Sequence, residues 1–327
     1  MINRRIFVSG AGALAMPAVL RSITANAQSL EPVTFRFNWS WVGNYAPVVL
    51  GFTRGYFKEQ GIDLKIGQGK GSGATVRQVG TKNDQFVWAD TSALLVGAAQ
   101  GIPVTGIMVI AYSNLGILWV DGKTRIDSPK DIIGKKISAT PGDGNTQMWP
   151  AVLAANNIKP DQVEMVFLDG SAAIAALREG RVDVALGGVS DQPVTLRNAG
   201  VNAKSMSFAD MGVKTLGSGV MAHPDTVKDK PDLCARMVRA VQKSWEAGLK
   251  EPQAAVDALT GFAETPLNGN IIKNGLAVFQ GLRTGETPTG FINPASMEST
   301  LAVLKQYGGV KTDLPATAFY TNQFVKS

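Results

Sequence analysis

The sequence predicts an α/β protein of about two domains. Apolar runs with strand-like alternation are followed, again and again, by runs with helical spacing. Two turns far apart in the chain, 67–75 and 141–146, repeat one order: strand, glycine-rich polar turn, helix N-terminus. The chain has 327 residues, 45% hydrophobic and 18% charged, which is enough for two buried cores.

Residues 1–27 read as a targeting segment. Arg4 and Arg5 precede an apolar, small-residue-rich run over 6–20, and Ala25-Asn26-Ala27 fits a cleavage site before Gln28. Pro17 and Arg21 keep that run short of the ~20 apolar residues a membrane span needs. Arg4-Arg5-Ile6-Phe7 is similar to a twin-arginine signal, with Asn3 replacing the usual Ser or Thr; general secretory export is the alternative. Setting Arg4, Arg5 and Arg21 aside from the 32 basic residues leaves 29 against 26 acidic. That balance is too mild and too scattered for a nucleic-acid partner. Cys234 is the only cysteine, so no disulfide forms within the chain and no lipid anchor follows the leader. Its apolar helical context, Leu233-Cys234-Ala235-Arg236-Met237-Val238, makes it a core residue.

Val33, Phe35 and Phe37 alternate as the first strand. The loop Asn38-Trp39-Ser40-Trp41-Val42-Gly43-Asn44 then sets two indoles beside amides and a hydroxyl, at a strand's carboxyl end, where open α/β sheets place ligands. The spacing of Val48, Val49, Phe52 and Phe57 predicts one helix over 45–57, closed by Gly61, with a second strand over 62–66. The glycine-rich turn 67–75 leads into a helix holding Val76 and Val79, and its backbone amides suit an oxyanion or polar group. Gly69-x-Gly71-x-x-Ala74 with Asp90 formally fits a dinucleotide fingerprint, but it follows the second strand rather than the first. No Gly-Lys-Ser/Thr ends it, so it is no P-loop. Residues 85–92 form a strand ending on Asp90, Thr91 and Ser92. Asp90 either meets a ligand or caps the helix over 93–100, and the two roles are compatible. A strand through Ile110 follows, and the polar stretch 112–116 between two strand-like runs reads as a crossing between lobes.

Asp127-Ser128-Pro129-Lys130-Asp131 opens a helical turn, and a strand follows. After the turn 141–146 comes a helix over 147–155, in which Trp149 is read as packing. Next are a strand over 163–168 and a helix over 172–179 that Gly180 ends. A strand over 181–186, with Arg181 and Asp183 facing solvent, opens into Gly187-Gly188-Val189-Ser190-Asp191-Gln192-Pro193. Residues 215–222 return the chain to the first lobe, and helices over 231–249, 252–259, 267–279 and 294–307 complete it. The resulting division is 28–114 with 216–327 for one lobe and 115–215 for the other, with hinge crossings near Asn114 and Leu216.

Gly55-Tyr56-Phe57-Lys58-Glu59-Gln60-Gly61-Ile62-Asp63-Leu64 resembles the G-Y-F-x-x-x-G-[IL]-D-[LV] segment of a family of periplasmic binding proteins. That family serves ABC importers of nitrate, taurine, alkanesulfonates and thiamine-pyrimidine precursors. Phe86-x-x-Ala89-Asp90 with Ala99-x-Gly101-x-Pro103-Val104, the stretches 127–137 and 176–185, Asp313-Leu314-Pro315 and Tyr320-Thr321-Asn322-Gln323-Phe324 are similar to further segments of the same family. The resemblance runs from Phe35 to Phe324. It implies the type II fold: two lobes, each with a mixed, mostly parallel sheet flanked by helices, joined by a two-segment hinge. It also implies a soluble, monomeric periplasmic protein that closes on a small molecule and docks on an ABC permease with its ATPase subunit. No cofactor is implied, and no chemistry: eukaryotic relatives of this fold that make the thiamine pyrimidine carry a cysteine-rich motif and an active histidine, and this sequence has no such motif.

The expected site is built from strand ends. Trp39, Trp41 and Asn44 supply flat faces and a polar handle, with the choice of the inward-facing indole left open because neighbours on extended backbone point oppositely. Ser72, Gly73 and Thr75 supply amides and hydroxyls, and Asp90 and Thr91 select a ligand donor. Asp143, Asn145, Thr146, Ser190 and Asp191 complete the cleft from the second lobe. Aromatic faces with acids suit an amino-bearing heteroaromatic ring, while acids repel an anion. Nitrate, a sulfonate or another organic compound are the alternatives. His223 and Cys234, single residues of their kinds, cannot build a multi-histidine or cysteine-rich metal site. His223 precedes Pro224-Asp225 as a cap, and no Gly-x-Ser-x-Gly elbow supports a triad. A secreted α/β enzyme and a receptor-type sensor partner are the other functional classes open to such a chain.

Overall fold

A computed structural model describes residues 30–326, so the leader read over 1–27 lies outside the described residues. The chain starts with β1 (Glu31–Phe37), α1 (Ala46–Thr53), α2 (Tyr56–Glu59), β2 (Ile62–Gly67), α3 (Ser72–Gly80), β3 (Phe86–Asp90), α4 (Thr91–Ala99) and β4 (Thr105–Val109). It continues with β5 (Leu115–Val120), β6 (Lys136–Ala139), α5 (Gly144–Ala155), β7 (Glu164–Phe167), α6 (Gly170–Glu179), β8 (Val184–Gly188), α7 (Gln192–Asn198) and β9 (Ala203–Ser207). It ends with β10 (Ser218–Ala222), α8 (Pro224–Asp229), α9 (Pro231–Lys250), α10 (Pro252–Phe262), α11 (Gly269–Gly281) and α12 (Pro294–Gln306).

The strands form two five-stranded sheets of matching layout, β2-β1-β3-β10-β4 and β7-β6-β8-β5-β9. The pairs β1–β2, β1–β3, β6–β7 and β6–β8 are parallel, whereas β10 and β5 run antiparallel to both of their neighbours. The reversed strands have a topological cause. The chain leaves β4 at its carboxyl end, crosses, and enters β5 from the cleft end of the second sheet; β10 repeats the manoeuvre on the way back. The crossings pair with each other: Ser113 N–H donates to the Thr215 carbonyl at 2.9 Å, and Gly217 N–H donates to the Ala111 carbonyl at 2.9 Å.

Alternation in β1 buries Val33, Phe35 and Phe37 against α1, α9 and α11 in one apolar core. A small second core covers the outer face of the β5–β8–β9 sheet with Ala176, Leu177 and Leu196. The third core is continuous across both lobes, joining Val76, Ala89 and Leu94 to Ile117, Ile137 and Val184. The helix α12 packs on α4 and on α5 alike.

Two local readings differ from the sequence expectation. The helix expected over 45–57 is a 3-10 turn at Gly43–Tyr45, then α1, then α2. Gly55 breaks it at φ 79, a left-handed backbone that glycine adopts without strain. The strand expected over 181–186 starts at Val184, and the Asp183 carboxylate instead accepts the Lys136 N–H at 2.9 Å. The elements α7, α8 and β9 are short and carried no clear periodicity. Among the described residues, no helix is long and apolar enough to cross a membrane.

Candidate ligand-binding site

The carboxyl ends of the two sheets face each other across a cleft with a volume of about 90 Å³. The first wall begins where β1 ends. Phe37 stacks on Tyr45 with ring centroids 4.1 Å apart, which folds the intervening loop back over the strand end. Trp39 then lines the cleft. Trp41 points the other way, edge-on to Phe37 and Phe262 at 6.0 and 5.5 Å. The Asn38 carbonyl accepts the Gly71 N–H at 2.7 Å, tying this loop to the glycine-rich turn before α3.

The polar groups of this wall are chained. The Tyr45 hydroxyl donates to Asn38 Oδ1 at 2.7 Å, Asn38 Nδ2 donates to Ser72 Oγ at 2.8 Å, and the Asp90 N–H donates to Ser72 Oγ at 3.2 Å. Asn44 lines the cleft and is only 7% exposed. Asp90 lies behind the wall, 3% exposed, with Oδ1 accepting the Ser92 N–H and O–H at 2.9 and 2.7 Å. It therefore caps α4. Its Oδ2 has no partner among the described residues, and burial pushes its carboxyl up to about 6.

The second wall comes from the turns after β6, β7 and β8. Asp143 caps α5 through the Thr146 N–H at 2.8 Å, and burial raises its carboxyl above the usual range. Asn145 Oδ1 accepts the Gly116 N–H at 3.1 Å, fixing α5 to the start of β5. Asn114 Nδ2 donates to Ser190 Oγ at 2.9 Å, and Ser190 Oγ donates to Asp191 Oδ1 at 3.2 Å. Burial pushes the Asp191 carboxyl up to about 6. Among the described residues, no lysine or arginine lines the cleft.

The lobes touch across the cleft. The Trp39 ring lies over Gly170, so that a Cβ there would overlap it. Gly73 approaches the Gly142 carbonyl, and a Cβ at Gly73 would stand 2.6 Å from that oxygen. On the opposite side, Gly275 of α11 faces the Ser190 carbonyl.

Of the residues expected from sequence, the fold brings Trp39, Asn44, Ser72, Asp143, Asn145 and Asp191 together on the cleft. The others stand behind or beside it. Thr75, Thr91 and Thr146 spend their hydroxyls on the Gly71, Gly217 and Thr140 carbonyls at 2.9, 2.6 and 2.6 Å. Ser190 and Asp90 support lining residues, Gly73 makes the interlobe contact, and Trp41 packs in the first lobe. Sequence reading left Asn38, Tyr45, Thr140, Gly170 and Gln192 out of the expected site, although they line the cleft. Asn38 opens the tryptophan loop that was singled out and Tyr45 follows it, so proximity was the available signal for them; Gly170 had none. His223 caps α8, its Nδ1 accepting the Asp225 N–H at 3.0 Å.

Two mixed sheets meeting at their carboxyl ends, joined by two crossings and enclosing a polar cleft, define a bilobed binding-protein fold. The chain belongs to the NMT1/THI5-like family, whose pattern it matches over residues 42–255. It is 23% identical over 312 residues to the riboflavin-binding protein RibY of Chloroflexus aurantiacus, covering 92% of this chain and 88% of that protein. It is 26% identical over 280 residues to the taurine-binding periplasmic protein of Escherichia coli, covering 83% and 85%. It is 23% identical over 239 residues to the 4-amino-5-hydroxymethyl-2-methylpyrimidine phosphate synthase THI5 of Saccharomyces cerevisiae, covering 69% and 70%. The alkanesulfonate-binding protein SsuA of Xanthomonas axonopodis, solved with MOPS bound, shares the fold at a TM-score of 0.70 and 13% identity, over 89% of this chain and 98% of that one.

Proposed function

We propose that this chain is the solute-binding component of an ABC importer. It captures a small, flat, amino-bearing heteroaromatic molecule of the thiamine-pyrimidine-precursor kind and delivers it to a membrane permease driven by an ATPase subunit. The observation that carries the ligand class is the charge of the cleft: Asp143 and Asp191 line it beside Trp39, with no lysine or arginine lining it among the described residues. A carboxylate favours an N–H donor or a cation and repels an anion, and the indole offers a flat face. In this reading the lobes 28–114 with 216–327 and 115–215 move as bodies about the two crossings. The protein works as a periplasmic monomer after its leader is removed, and it performs no chemistry. His223 is committed to capping α8, and Cys234 is buried with its thiol pushed up to about 12, which supports a binding role over that of the yeast synthases.

A sulfonate or nitrate ligand is the second reading. It is favoured by Ser72, Gly144 and Asn145 at the starts of α3 and α5, which line the cleft where helix amides suit anions. The test is native mass spectrometry of protein purified from periplasm, with denaturing identification of any co-purified compound, followed by thermal shift. The heteroaromatic reading expects 4-amino-5-hydroxymethyl-2-methylpyrimidine to raise the melting temperature as a ligand specific for the folded state must. A shift with taurine or nitrate and none with the pyrimidine would establish the second reading in its place.

A further inference from the structure

Hydrogen bonds around the cleft run in fixed directions, and the directions differ between the walls. In the first lobe the Tyr45 hydroxyl donates its hydrogen to Asn38 Oδ1. That acceptance fixes which end of the Asn38 amide is oxygen, so its Nδ2 faces Ser72 and donates to it. The Asp90 N–H donates to the same Ser72 oxygen. A serine hydroxyl has two acceptor sites and one hydrogen to give. Both acceptor sites are taken, and the hydrogen has no acceptor among the described residues. Ser72 is 4% exposed and lines the cleft, and a buried donor without a partner is costly.

The second wall ends the opposite way. Asn114 donates to Ser190, and Ser190 donates to Asp191. The chain of donors finishes on a carboxylate, which accepts and does not donate when ionised. Ser72 therefore offers a hydrogen to the cleft, and Asp191 offers lone pairs.

We propose that the ligand carries a hydrogen-bond acceptor that meets the Ser72 hydroxyl and an N–H donor that meets Asp191, both on one flat ring lying against Trp39. The assignment rests on the reading of the cleft as a heteroaromatic site. It makes Ser72 a specificity-determining residue whose polarity is set by its neighbours Asn38 and Tyr45.

Three probes separate the two ends by isothermal titration: 4-amino-2-methylpyrimidine with donor and acceptor, 2-methylpyrimidine with acceptors alone, and aniline as the donor probe. The wild type is expected to bind the first most tightly. Ser72→Ala is expected to weaken both pyrimidines about tenfold, the size of one hydrogen bond, and to leave aniline unchanged. Asp191→Ala is expected to weaken 4-amino-2-methylpyrimidine and aniline and to spare 2-methylpyrimidine. Asn38→Asp keeps the side-chain shape and keeps the test open if Ser72→Ala unfolds. Its second carboxylate oxygen would take the Ser72 hydrogen and turn a lone pair to the cleft, so the preference should shift from 2-methylpyrimidine toward aniline. Equal losses for all probes in Ser72→Ala, or an unchanged preference in Asn38→Asp, would overturn the polarity while the cleft reading stands. Binding of none of the three by the wild type would overturn the heteroaromatic reading and this assignment together.

Discussion

At Asp90 the capping role is filled by one oxygen, and the residue stands behind the cleft wall. Oδ1 caps α4 through Ser92, while Oδ2 is buried without a partner among the described residues. Burial pushes the carboxyl up to about 6, from an ordinary value of 3.8. The folded chain therefore binds more protons than the unfolded chain between those values, and stability rises as the pH falls through 6. For Asp90 alone the gain from pH 7.5 to pH 5 is about 1 kcal/mol. Asp90→Asn should keep the cap and remove that gain, measured by urea unfolding at the two pH values; an unchanged pH dependence would count against a buried, titrating Asp90. Site legibility also divides at this scale. Trp39, Ser72, Asp143 and Asp191 follow strands and belong to turns whose polarity is visible in sequence. The support roles of Thr75, Thr91 and Thr146 were not visible, because their hydroxyls are spent on carbonyls that only the folded backbone brings near.

Among the elements, α9 carries one of the two largest fully buried side chains. Trp245 is fully buried, stacks on Trp88 with centroids 6.1 Å apart at 11°, and also meets Phe279 of α11 at 5.8 Å. Trp245→Ala should cost about 3–5 kcal/mol in urea unfolding, as large core truncations do. Trp245→Phe should cost far less, because the indole Nε1 has no partner among the described residues to lose. The start of α6 has a different duty. Gly170 seats the Trp39 ring, so Gly170→Ala should obstruct closure while leaving α6 intact, alanine being the better helix former. Ligand affinity is expected to fall about tenfold or more, given an overpacking cost of about 1–3 kcal/mol, with the melting temperature of the free protein within about 2 °C of wild type. A matching loss of melting temperature would place the fault in folding instead. Element boundaries were legible where a first-turn proline and apolar spacing agreed, as in α9 and α12. They failed at Gly55, because Phe52 and Phe57 keep helical spacing across a break that only the backbone angle reveals.

For the whole molecule, closure is the observable. The lobes touch at Trp39–Gly170, Gly73–Gly142 and Gly275–Ser190, so small-angle X-ray scattering should show a smaller radius of gyration once ligand is added to emptied protein. Gly170→Ala should show no such contraction; a contraction equal to wild type would remove Gly170 from the closing contact. The two-sheet α/β plan was legible because strands, polar turns and helices alternate along nearly the entire chain. The reversal of β5 and β10 was not, since strand direction follows from which end of a sheet the crossing reaches, and no residue type encodes that.

The place of β10 between β3 and β4 has a consequence for how the protein is made. All five strands of the second sheet lie in one contiguous stretch, from Leu115 to Ser207, and are available as soon as that stretch leaves the ribosome. In the first sheet, β10 is the only strand beside β4 among the described residues and Gly106 of β4 also bridges Tyr320, and both partners are synthesised after the entire second sheet. The nascent chain must hold β4 unpaired through that interval, so the lobe that starts first finishes last, and the edge of β4 is the surface most in need of a chaperone while it waits.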